Sequence, residues 1–138
     1  MSLAIDMPAR IGTIDQRKLR ADRLARVRAE LVERDYAAAL LSDPMNIRYA
    51  TGSRNMPVWT MHAPGRYVFV PVDGPVVLFE YGACRHLSEG LDTVDQLRSS
   101  VPWFYFMAGP RTAEKAELWA GDIIDLMRGR PASGRRSL

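Results

Sequence analysis

A chain of 138 residues with 47% apolar and 25% charged residues is long enough to bury one core, on the usual scale of roughly 100–200 residues per domain. Those proportions are ordinary for a globular protein, and no apolar run reaches the ~18–20 residues that span a bilayer, which excludes a membrane helix. The net charge of +3 is carried mainly by arginine, and the lone cysteine, Cys84, excludes an internal disulfide and fits a reducing cytoplasm.

Residues 1–15 read as a flexible leader, 16–128 as one domain and 129–138 as a disordered tail or linker low in apolar content. The first helix, Arg20 to Glu33, repeats Leu24, Val27 and Leu31 at i, i+3 and i+7, an apolar stripe with arginines on its other faces. Tyr36-Ala-Ala-Ala-Leu-Leu41 is an apolar run suited to a buried strand. Asp43 then caps a short helix that begins at Pro44, where the missing N–H costs nothing, and Gly52 closes it.

The middle of the chain is strand-rich. Tyr67–Val72 and Pro75–Tyr81 flank Asp73-Gly74, a two-residue signal for a type I′ hairpin turn. Pro71 lacks a backbone donor, so its strand must lie at an edge or leave the ladder near the turn. Ala83–Gly90 reads as a weak helix, Thr93–Leu97 as a strand, and Val101–Met107 as an aromatic segment belonging to core or interface. A last helix from Thr112 to Met127, capped by Thr112, places Trp119, Ile123 and Leu126 on one face. Alternation of helix and strand makes the class α/β.

Asn46-Ile-Arg-Tyr-Ala-Thr-Gly52, following the strand and the Asp43 cap, resembles the opening of the N-terminal domain of the creatinase, prolidase and aminopeptidase P family. The resemblance runs from Gln16 to Arg128. It implies a three-layer α/β fold, a mixed five- to six-stranded sheet flanked by helices. Arg54-Asn-Met-Pro-Val-Trp59 and Trp103-Phe-Tyr-Phe-Met-Ala-Gly109 look more like the branch that contains dimethylsulfoniopropionate lyase than like a standard prolidase. In hydrolytic members two divalent metal ions sit in a separate C-terminal catalytic domain, so the resemblance implies that domain as a partner, a homodimer, and a dipeptide or other small molecule as substrate of the parent.

No catalytic and no metal-binding residue is expected within this chain. A two-metal centre needs several inward-facing acids and imidazoles, whereas the two histidines, His62 and His86, have no partner at metal-ligand spacing. Cys84 has no base placed beside it and reads as a packed residue. The loop-like segment Ser53–Gly65 is the exception. Arg54, Asn55, Trp59 and His62 combine a guanidinium fork, an amide, an aromatic wall and an imidazole, a mixture suited to a small anionic or zwitterionic ligand. The resemblance places this segment near the pocket of the parent enzyme.

The arginines of the first helix and the tail read as solvated faces, since no aromatic or glycine-rich recognition elements interleave with them; nucleic acid is not an expected partner. The leading expectation is a non-catalytic N-terminal domain that contributes to dimerisation and to the active-site entrance. The alternative is a free-standing ligand-binding or oligomerisation module without a catalytic half.

Overall fold

The computed structural model describes residues 14–55 and 65–129 in full and the backbone of Arg136–Ser137. Helix α1 spans Gln16–Glu33, with the Asp15 carboxylate accepting from the Lys18 N–H at 3.0 Å as its N-cap. Strand β1, Tyr36–Leu41, leads into helix α2, Pro44–Thr51. The cap is as the residues dictate: the Asp43 carboxylate accepts from the N–H groups of Met45 and Asn46, both at 2.9 Å. Gly52 ends α2 at φ +77°, its N–H returning to the Arg48 carbonyl at 2.8 Å, a left-handed conformation that glycine adopts without steric cost.

Strands β2, Tyr67–Pro71, and β3, Val77–Glu80, pair antiparallel, and β3 pairs in parallel with β4, Gln96–Ser99. A four-residue helix α3, Tyr105–Ala108, and the long helix α4, Thr112–Arg128, follow. Two residues of the tail expected to be unstructured, Arg136–Ser137, form a short strand β5 parallel to β1. The sheet is therefore mixed and five-stranded, in the order β4-β3-β2-β1-β5.

Both faces of this sheet are covered, which explains why β2 and β3 read as continuous apolar runs rather than alternating ones. Side chains alternate across the sheet. Val68, Val70, Val76 and Leu78 join Ile47 and Ala50 of α2, with Leu24 and Val27 of α1 packed against them. Tyr67, Phe69, Val77 and Phe79 join Ala38 on the opposite face, against Trp119, Ile123, Leu126 and Met127 of α4. Helices, sheet and helix make three layers, and the predicted stripes of α1 and α4 are the faces that bury.

Four local expectations change. The hairpin between β2 and β3 is not a two-residue type I′ turn: Gly74 has φ +101°, but Asp73 is not in the positive-φ region that turn requires, and the last ladder pair is Phe69↔Val77. Side chains take the backbone groups that a tighter turn would pair. Arg28 of α1 donates to the carbonyls of Pro71 and Gly74 at 3.1 and 2.7 Å, and the Val76 N–H is bound by the Asp95 carboxylate at 2.7 Å. Pro71 is the last residue of β2 and lies beyond that final pair with β3, as its missing donor demands.

Asp95 also displaces β4, which starts at Gln96 rather than Thr93, because Asp95 is committed to that turn and Thr93 donates its hydroxyl to the Thr51 carbonyl. The weak helix after β3 is a 3-10 helix, Gly82–Leu87. Thr112 is the first residue of α4 rather than its cap, donating its hydroxyl to the Gly109 carbonyl at 2.8 Å.

The arginines of α1 are largely spent within the fold. Arg17 and Arg20 both grip Asp92 at 3.1 Å, Arg28 closes the β2–β3 turn, and the Arg23 guanidinium lies 5.5 Å from the centre of the Tyr49 ring.

Candidate functional site

The most unusual feature of the described residues is a charged network with almost no solvent contact, lying where α2, β2, β3 and the 3-10 helix converge. Its centre is Glu80. Continuing the Val76–Leu78 alternation along β3 places its side chain on the core face next to α1 and α2, and it is 0% exposed. The Tyr67↔Phe79 register, carried one step further, sets Arg66 opposite Glu80. Arg66 is 6% exposed.

The Glu80 carboxylate accepts four hydrogen bonds. Oε2 receives the Arg66 Nε–H at 2.7 Å and the Ser88 hydroxyl at 3.2 Å; Oε1 receives the Asn55 Nδ2–H at 2.7 Å and the Tyr81 backbone N–H at 3.1 Å. A carboxylate offers about four lone-pair sites, so this one is saturated. Arg66 also donates its Nη2–H to the Ser53 hydroxyl, which in turn meets the Ser88 hydroxyl. With the Ser88 proton directed to Glu80, Ser53 donates to Ser88, and the ring Arg66–Ser53–Ser88–Glu80 closes.

This clasp has a clear geometric effect. Ser53 and Asn55 precede residues 56–64, and Arg66 follows them, so both flanks of that segment are tied to one carboxylate. The return point is crowded as well. A Cβ added at Gly65 would stand 2.5 Å from the Tyr81 hydroxyl oxygen and 3.0 Å from Phe104 Cε1, a close approach open only to glycine. Burial, reinforced by the neighbouring Glu80 carboxylate, raises the Tyr81 phenol above its ordinary value.

Of the four residues singled out in the sequence, Arg54 is exposed and has no partner among the described residues, while Asn55 is half-buried with its amide nitrogen committed to Glu80. Trp59 and His62 lie outside the described residues. The arrangement displays Arg54 between two anchored neighbours. Sequence reasoning missed Glu80, Arg66, Ser53 and Ser88. The available signal was an acidic residue at the period-two core position of an apolar strand, where an unpaired charge is almost never buried.

Other candidates do not assemble. His86 is exposed and Cys84 is a half-buried free thiol. Among the described residues no group of three or more His, Cys, Asp or Glu side chains is placed to hold a metal ion, and no helix is long and apolar enough to cross a membrane. The aromatic segment is split in its fate. Trp103 packs on Trp119 with ring centres 5.6 Å apart, whereas Tyr105 and Phe106 are 75% and 80% exposed.

A family model for the creatinase/prolidase N-terminal domain matches residues 23–106. The chain is 35% identical over 128 residues to dimethylsulfoniopropionate lyase DddP of Roseobacter denitrificans, covering 93% of this chain and 29% of that protein. It is 34% identical over 113 residues to dimethylsulfoniopropionate lyase DddP of Roseovarius nubinhibens, covering 82% and 25% respectively. The chain thus spans less than a third of the length of these curated relatives. Among solved structures, a Creatine_N superfamily domain of a dipeptidase from Streptococcus thermophilus aligns at 27% identity with a TM-score of 0.46, over 63% of this chain and 65% of that one. By the family match, the chain belongs to the creatinase/prolidase N-terminal domain family.

Proposed function

We propose that this chain is the non-catalytic N-terminal domain of a two-metal enzyme of the creatinase and prolidase type, with a lyase acting on a small sulfonium carboxylate as the leading parent activity. The observation that carries this reading is the similarity to two dimethylsulfoniopropionate lyases across 93% and 82% of the chain, in which it accounts for 29% and 25% of the relative's length. The domain's work is to form part of a dimer interface and to wall the active-site entrance, in a cytoplasmic protein.

The described residues do not fit a two-metal centre, which needs clustered carboxylates and imidazoles. In this reading the two divalent ions belong to a C-terminal catalytic domain. Selectivity at the entrance falls to Arg54, Asn55, Trp59 and His62. Arg54 supplies a planar fork for a carboxylate, and Trp59 a π-face for a cationic group such as a sulfonium.

The experiment is a direct comparison of turnover. The purified 138-residue chain and the complete product of its gene are each assayed with dimethylsulfoniopropionate and with Xaa-Pro dipeptides, with and without divalent metal. The chain alone turns over neither, and the complete product cleaves the sulfonium compound. Metal-dependent turnover by the isolated chain refutes the assignment, as does inactivity of a complete, metal-loaded product on both substrates.

A further inference from the structure

We propose that the buried Glu80 clasp is the positioning device for Arg54, fixing its backbone so that its guanidinium is presented, preorganised, to the carboxylate of a small zwitterionic ligand. The inference deepens the reading above and rests on it for the ligand's identity. The juxtaposition itself rests on geometry. The residue before Arg54 accepts from Arg66 through its hydroxyl, and the residue after it donates its amide to Glu80 at 2.7 Å. Glu80 is 0% exposed and Arg66 6% exposed.

Arg54 itself is exposed and, among the described residues, makes no ion pair or hydrogen bond. Ser53 and Asn55, on either side of the exposed Arg54, are both tied into a buried ionic network, a costly arrangement to retain for packing alone. An apolar cluster of similar volume is often as stable or more so. What the ionic version adds is fixed direction, and a recognition group held by a rigid supporting shell loses less freedom on binding. Glu80 is thus a positioning residue. It touches no ligand and acts through Ser53 and Asn55.

The test uses the chain itself, labelled with 15N, and dimethylsulfoniopropionate as probe against its methyl ester, which lacks the charged carboxylate. Glu80→Gln risks unfolding, so Ser88→Ala serves as the working variant; it removes the hydrogen bond to Glu80 and leaves the Arg66–Glu80 pair in place. Wild-type Arg54 should show an ordered backbone N–H with an order parameter near ~0.85, and its Nε–H resonance should shift with the acid and not with the ester. In Ser88→Ala the order parameter at Arg54 should fall toward ~0.6 and the apparent Kd for the acid rise several-fold, while core resonances stay dispersed.

Arg54→Ala should weaken the acid by about tenfold or more, the scale of one charge-assisted hydrogen bond, and Arg54→Lys should restore part of that loss. Ser88→Ala with wild-type order at Arg54 and wild-type affinity overturns the clasp's role while leaving carboxylate recognition by Arg54 intact. If Arg54→Ala binds like wild type, or wild type responds equally to acid and ester, the recognition step itself is wrong.

Discussion

Replacing Glu80 by glutamine changes one oxygen to an NH2 group, and the network around it makes the cost calculable. All four partners of the carboxylate are donors: Arg66 Nε, the Ser88 hydroxyl, Asn55 Nδ2 and the Tyr81 N–H. The glutamine oxygen can serve only one side of the pair, so its NH2 must face the donors on the other. At the same time Arg66, 6% exposed, is left without its counter-ion. Breaking a buried pair by removing one partner costs about 3–5 kcal/mol. Against a total stability of roughly 5–15 kcal/mol for a domain, and at ~3–5 °C per kcal/mol for a chain of intermediate size, the melting temperature of Glu80→Gln should fall by about 10–25 °C. Urea unfolding followed by circular dichroism gives the free-energy difference. The double variant Glu80→Met, Arg66→Met removes both charges together and should recover part of the loss, the remainder being the Ser88, Asn55 and Tyr81 donors left without their acceptor. A loss under ~1 kcal/mol for Glu80→Gln, or a double variant no better than the single one, would refute the view that these residues act as one buried charge pair.

Gly52→Ala forces an alanine to φ +77° and sets its Cβ 2.3 Å from Arg20 Cδ. The side chain can swing away but the backbone cannot, so the expected loss is about 1–2 kcal/mol, read as a shifted urea midpoint; an unchanged midpoint would show that Gly52 is not needed as the closing residue of α2. The Arg17 hydrogen bond, followed by that of Arg20, holds the Asp92 carboxyl below its ordinary range. A carboxyl lowered in the folded state contributes stability above the unfolded value, near ~3.9, and loses it as pH falls through the folded value. Asp92→Asn should therefore be less stable than wild type at neutral pH, with the gap narrowing as pH falls from the unfolded carboxylate value through the lower folded one; a gap that does not narrow in acid would place the effect elsewhere. With Arg20, Arg23 and Arg28 engaged by other groups of the fold, fluorescence anisotropy should detect no binding of single-stranded RNA at physiological salt, whereas salt-dependent binding would contradict that use of the arginines.

The parts of the fold that were legible are those where local chemistry decides. Asp43, Pro44 and Gly52 fix α2 through capping and a left-handed closing residue, and no distant contact competes with them. Stripes such as Leu24-Val27-Leu31 and Trp119-Ile123-Leu126 predict their buried faces because a helix must bury one side. The turn after β2 was not legible, because Asp73-Gly74 is overruled by Arg28 and Asp95, residues distant in sequence that bind its backbone. The start of β4 failed for the same reason. At the candidate site, Arg54 and Asn55 were recognisable as polar residues in a loop-like segment. Their supporting shell was not, since the Arg66–Glu80 pairing depends on strand register, and Ser53 and Ser88 are distant in sequence and carry no motif. Tyr105 and Phe106 were expected in core or interface and stand exposed, because aromatic content marks a need for burial without saying what supplies it.

The central claim is that this fold is the front part of a metalloenzyme. Sequencing the source gene past the codon for Leu138 tests it most directly. The account predicts an in-frame continuation longer than this chain, carrying spaced Asp, His and Glu residues suited to a two-metal centre. An immediate stop codon, or a continuation without those ligands, would contradict it and make the domain a free-standing module.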